Sequence, residues 1–165
     1  MVTLGIILTC SPAQAVEFDD WRMELRPTYS WWTVEDDNMH GFGTGLMGSW
    51  RAFDTLYIKL DTEIIFLDME NPGNKYLWEI SAGANYDIDI TPLTVTMGTG
   101  IGPLLTKDEG QDWKTDASWH LLLAFQYSIT KDFALGIEGR YHFIFTDFNT
   151  SPLFFTASLK AVLTF

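Results

Sequence analysis

From Trp21 onward the chain alternates apolar and polar residues with a period of two, the spacing that places successive side chains on opposite faces of a β-strand. The closing stretch shows it most plainly. Counting back from the final residue, Phe165, Leu163, Ala161, Leu159, Ala157, Phe155 and Leu153 are all apolar, while Thr164, Lys160, Ser158 and Thr156 of the other register are polar. Seven earlier segments carry the same rhythm, at residues 21–33, 41–52, 56–67, 77–86, 93–102, 117–129 and 133–145. Turn chemistry separates them, with Phe53-Asp54, Asn71-Pro72-Gly73-Asn74, Asp87 to Pro92 and Thr130-Lys131-Asp132 between successive segments. Pro27 has no N–H to give a ladder and predicts a bulge or an irregular pair in the first strand.

Charge is sorted by parity. The apolar register of the eight segments contains no Asp, Glu, Lys or Arg, whereas the polar register holds Arg22, Arg26, Arg51, Lys59, Arg140 and Lys160 together with Glu24, Asp61, Glu63, Glu79 and Glu138. A soluble sandwich, or a soluble lipocalin-like barrel, would turn its apolar face inward. The apolar register here is rich in aromatics at the segment ends. Trp21, Trp50, Tyr86, Tyr127, Phe133 and Phe165 fall near one rim, and Tyr29, Trp31, Phe42, Phe66, Trp78, Trp119, Phe145 and Phe155 near the other. Two such girdles are what a barrel needs at the two membrane interfaces. Connections also alternate: those after odd segments (residues 34–40, 68–76, 105–116 and 146–152) are longer than most after even ones. The pattern predicts an all-β fold, an eight-stranded antiparallel up-and-down transmembrane β-barrel.

Length, charge and cysteine content narrow the picture. A chain of 165 residues suits one domain, and no apolar run approaches the ~18 residues of a membrane helix. The net charge of -12 and the lack of a basic patch exclude nucleic acid as a partner. A single cysteine, Cys10, rules out a disulfide framework. Residues 2–9 are mostly apolar, and Ala13-Gln14-Ala15 matches a small-x-small cleavage site, although no Lys or Arg precedes the run. The expectation is a truncated signal peptide over residues 1–15, a barrel domain over 16–165 and a mature start near Val16.

Residues 21–165 resemble the small bacterial outer-membrane barrels of the OmpA/OmpX type and the porin-family barrel domain. The resemblance lies in strand count, in the terminal Phe165 with Leu163 and Leu159 at alternate positions before it, and in the segment Leu135-Gly136-Ile137-Glu138-Gly139-Arg140-Tyr141-His142-Phe143. It implies a monomer in a Gram-negative-type outer membrane. It implies contact with membrane lipid and lipopolysaccharide, and assembly machinery that reads Phe165, Leu163 and Leu159. It carries over no catalytic or ligand residue.

Three functions follow from the inward register. An eight-stranded barrel is just wide enough inside for its own side chains. Arg22, Glu24, Arg26, Arg51, Lys59, Asp61, Glu63, Glu79, Glu138, Arg140, His142 and Lys160 are therefore expected to form a lumen charge network that plugs the barrel, leaving it a structural or surface-interaction role. A narrow channel for small solutes is the alternative, with Gly43, Gly45, Gly83, Gly98 and Gly100 leaving the path. A lipid-modifying enzyme built on Ser118, His120 and His142 is the third, disfavoured because parity turns these residues away from the lipid; no enzymatic activity, cofactor or metal is expected. Acidic segments carrying Glu35, Asp36, Asp37, Asp68, Glu70, Asp108, Glu109, Asp112, Asp116 and Asp147 face only Lys75, Lys107 and Lys114, a composition suited to divalent-cation bridging to lipopolysaccharide or to a cationic partner.

Overall fold

The computed structural model describes residues 21–34, 37–68, 75–145 and 153–165; the expected signal peptide lies outside them. Eight antiparallel strands, β1 (Trp21–Val34), β2 (Asp37–Phe53), β3 (Leu56–Asp68), β4 (Lys75–Ile90), β5 (Leu93–Asp108), β6 (Lys114–Ser128), β7 (Phe133–Ile144) and β8 (Leu153–Thr164), pair in sequence order. β1 pairs with both β2 and β8, so the sheet closes on itself with no free edge. The seam is tied at the last residue, where the Phe165 N–H donates to the Trp21 carbonyl at 2.9 Å.

The strands are longer than the alternation suggested. β5 and β6 continue to Asp108 and from Lys114, so the acidic connection between them spans residues 109–113 rather than 105–116. β1 and β2 stay paired to Val34 and Asp37, and β4 runs on to Ile90. Both prolines inside strands interrupt a ladder without shifting it. The β1–β8 pairs skip Arg26 and Pro27 and resume in the same register, and the β4–β5 pairs do the same opposite Pro103. The irregularity expected at Pro27 is thus a gap in pairing, and the register shift falls instead between Arg51 and Phe53 of β2.

The two registers face as their chemistry requires. Leu25, Leu46, Ile58, Leu60, Ile80, Met97, Leu123, Ile137 and Leu159 point outward and are exposed, as are Trp21, Trp31, Phe42 and Phe66 of the girdles. In hydrocarbon an indole N–H has no water to bond, and neighbouring strands supply the acceptor. Trp78 Nε1 donates to Thr62 Oγ1 at 2.8 Å and Trp119 Nε1 to Thr99 Oγ1 at 2.6 Å, which accounts for two threonines on the apolar face. Wetting this belt would expose a continuous band of large apolar side chains, beyond the few hundred Å2 that a soluble monomer tolerates as a patch. The outer wall belongs in a bilayer.

Candidate functional site: the lumen

Every inward position is contributed by a strand whose partner fixes its depth, so the lumen can be built strand by strand. At its centre, β3 brings Asp61, β7 brings Glu138 and Arg140, and β1 brings Arg26. Asp61 is ion-paired to both Arg26 and Arg140. Arg140 Nε donates to Glu138 Oε1 at 2.5 Å, and Arg26 Nη1 lies 3.5 Å from the same oxygen. The four side chains form a closed ring of alternating charge across the barrel, all of them buried. Lys160 of β8 extends it, 2.9 Å from Glu24 and 3.7 Å from Glu138. Glu63 lies 3.8 Å from Arg140 and accepts a 2.7 Å hydrogen bond from Thr28.

Towards the end that carries Trp21 and Phe165, Arg22 pairs with Asp87 and stacks over the Tyr57 ring at 3.9 Å, while Arg51 Nε donates to the Tyr57 hydroxyl at 3.0 Å. Asp87, which the sequence places in a turn before Pro92, is only 2 % exposed and faces the lumen. Its place on the parity of Glu79, Ser81, Gly83 and Asn85 was the available signal. Asp87 joins Glu24, Asp61, Glu63, Glu79 and Glu138 opposite Arg22, Arg26, Arg51, Lys59, Arg140 and Lys160. Below them a vestibule of about 230 Å3 opens at the turn end, bordered by Arg22, Arg51, Asp89, Gln126 and Lys131.

Above the ring, Glu79 of β4, His120 of β6 and His142 of β7 converge. Ser118 Oγ donates to Glu79 Oε1 at 2.8 Å, His120 Nδ1 lies 3.2 Å from the same oxygen, and His142 Nδ1 is 3.0 Å from Glu79 Oε2. Lys59 Nζ lies 3.0 Å from His120 Nε2. Glu79, His120 and His142 are the residues able to hold a metal among those described, with one ligand atom from each lying within 4.8 Å of the others. The serine is held by the carboxylate and by the Gly102 carbonyl, so no imidazole nitrogen is in place to activate it.

The loop end of the lumen is apolar, which alternation did not foretell. Trp32, Met39, Ile65, Leu67, Leu77, Leu104, Ile144 and Phe154 form one buried cluster, with Trp32 stacked on Phe154 and Phe154 stacked in turn on the His142 ring at 4.0 Å. The inward glycines serve these side chains. A Cβ on Gly45 would meet Arg26 Nη2 at 2.6 Å, one on Gly100 would meet the His120 ring at 2.6 Å, and one on Gly98 would meet Asn85 Oδ1 at 2.1 Å. Gly43 and Gly83 abut the backbone of the next strand. The space they leave is filled. On the outer wall, Phe165, Leu163 and Leu159 are exposed at the β8 seam.

No protein-family model and no curated protein matches the chain. Solved structures do match it in shape. The chain is similar to Neisserial surface protein A (NspA), at TM-score 0.76 and 16 % identity over 88 % of this chain and 97 % of that one. It is similar to Ail, the attachment invasion locus protein of Yersinia pestis, at TM-score 0.59 and 16 % identity over 90 % and 100 %. The outer membrane enzyme PagL aligns at TM-score 0.54 and 10 % identity over 85 % and 99 %. At these identities the likeness is one of fold. Together with the apolar, aromatic-rimmed wall and the charge-filled interior, it makes this chain an eight-stranded transmembrane β-barrel of the small outer-membrane type.

Proposed function

We propose that the protein is a structural and surface-interaction barrel of the bacterial outer membrane, its lumen shut to solutes and its acidic loops displayed as the contact surface. The observation that carries this reading is the Asp61–Arg140–Glu138–Arg26 ring, which spans the lumen from three strands beneath an apolar cluster. A conducting path would have to break both. Because the lumen charges balance, the net charge of -12 belongs to the residues outside it. Loop-end carboxylates such as Asp108, Glu109, Asp112 and Asp116 then face lipopolysaccharide phosphates through divalent cations, or a cationic partner directly. The names of two similar structures, a surface protein and an attachment invasion locus protein, agree with a role at the cell surface. On this reading the protein is a monomer without catalytic activity, and Phe165, Leu163 and Leu159 are its address to the assembly machinery.

The test is single-channel recording in a planar bilayer. Purified barrel is expected to give no steady current, and a steady wild-type conductance whose ion selectivity shifts in Glu138→Gln would replace this reading with the channel. The vestibule at the turn end is the feature that favours that second reading. The enzyme reading has Ser118, His120 and His142 and the fold likeness to PagL behind it; mass spectrometry of lipid A from cells expressing wild type and Ser118→Ala is expected to give identical spectra. Deleting Phe165 is expected to leave unfolded chain in the periplasm, and heat-modifiable barrel at wild-type levels would overturn its role as the address.

A further inference from the structure

We infer that Glu79, His120 and His142 form a binding site for one divalent cation of borderline softness, of which Zn2+ is the representative. Two imidazoles and a carboxylate are a donor set suited to such an ion, and their neutral or anionic atoms outcompete water for it in a closed site. Three strands supply the donors, and all three side chains are buried. His120 Nδ1 lies 3.2 Å from Glu79 Oε1 and His142 Nδ1 3.0 Å from Glu79 Oε2, and one donor atom from each residue lies within 4.8 Å of the others. Such a set closes on an ion by small side-chain rotations towards the ~3.3 Å edge of a tetrahedron with 2.0–2.1 Å metal bonds. His142 Nδ1 supplies the second observation. It is fully buried, points at Glu79 and has no hydrogen-bond partner of good geometry. A cation between the two gives that lone pair an acceptor.

The surroundings orient the donors as supporting partners do in metal sites. His142 Nε2 rests 3.3 Å from Thr156 Oγ1, and the ring is clamped on Phe154. Ser118 Oγ donates to the same carboxylate at 2.8 Å and fixes its orientation. Glu63, opposite Glu79 in the β3–β4 register, has Arg140 as its counter-ion and does not compete.

Lys59 is the group that opposes the cation. Its Nζ lies 3.0 Å from His120 Nε2, so an ion held on the other nitrogen of that ring sits across it from a second positive charge. Because the apolar cluster seals the loop end, the ion enters as the barrel folds.

The experiment is refolding of the full chain from urea into detergent with equimolar Zn2+, removal of loose metal on a chelating resin, and elemental analysis. Wild type and the His40→Phe control, whose histidine is exposed beside Tyr29 on the outer wall, are expected to retain about one Zn2+ per chain, and His142→Phe and His120→Phe almost none. Lys59→Met is expected to bind about tenfold more tightly, since it removes the opposing charge. Should the histidine variants fail to fold, the Co2+ form of the wild type decides. Intense visible bands of a tetrahedral nitrogen-ligated site support the proposal, and the weak spectrum of a carboxylate-bound octahedral ion overturns it. It is equally overturned by metal-free wild type, by retention unchanged in both histidine variants, or by Lys59→Met binding no more tightly than wild type.

Discussion

The two halves of the lumen share one register of one sheet, yet they are filled by opposite means. Around Arg26, Asp61, Glu138 and Arg140 the interior is closed by paired charge, and around Trp32, Leu77, Leu104 and Phe154 by hydrocarbon. The energetics differ accordingly. Hydrocarbon packing loses in proportion to the volume removed, and its neighbours relax into part of the gap. A buried ring of charges tolerates loss of one member badly, because the partner left behind can neither be solvated nor neutralised. The charged half therefore specifies which side chains sit together, and the apolar half excludes the water that would weaken them.

The largest expected effect tests the charged half. Arg140→Met leaves Asp61 and Glu138 short of a counter-ion and is expected to cost about 3–5 kcal/mol in the urea unfolding of refolded barrel. Replacing the whole ring, with Arg26 and Arg140 to Met and Asp61 and Glu138 to Leu, is expected to recover part of that loss, because the ring then strands no carboxylate of its own and only Glu63 loses a counter-ion. If the fourfold variant is no better than Arg140→Met, the ring acts through something other than charge pairing.

The wall comes next. Leu123→Arg places a cation in the apolar belt at mid-strand and is expected to cost about 2–4 kcal/mol. Its neighbour Ala124→Arg points into the filled lumen and should instead prevent assembly by crowding. An unaltered urea midpoint for Leu123→Arg would remove that face from the bilayer.

Smaller changes sharpen the contrast. Ile65→Val removes one methylene from the apolar half and is expected to cost about 0.5–1.5 kcal/mol, a graded loss where the ring gives an abrupt one. Smallest of all is Lys131→Ala. Its pair with Asp132, at 3.7 Å, is mostly exposed, and the change should shift the midpoint by no more than about 0.5 kcal/mol. A loss of 2 kcal/mol or more there would mean that the vestibule wall is part of the plug, contrary to the division drawn here.

Alternation sorted the side chains of each strand onto two faces, since a period of two fixes which of them share a side, and the aromatic rims of the charge-free register turned that face to lipid. From that came the strand count, the antiparallel order and the closing role of Phe165. It failed at the loop end, where Trp31-Trp32, Ile64-Ile65-Phe66-Leu67, Leu104-Leu105 and Phe154-Phe155 are apolar on both faces and carry no period to read. For the same reason strand ends were set short, and Asp87 was lost to a turn. Depth and partnership belonged to the closed barrel. Glu79, His120 and His142 come from three strands far apart in sequence, and only the tilt and register of the sheet bring their nitrogens and oxygens together. Parity confines a side chain to the lumen, but which of the others it meets there depends on strand stagger, which no single strand's sequence records.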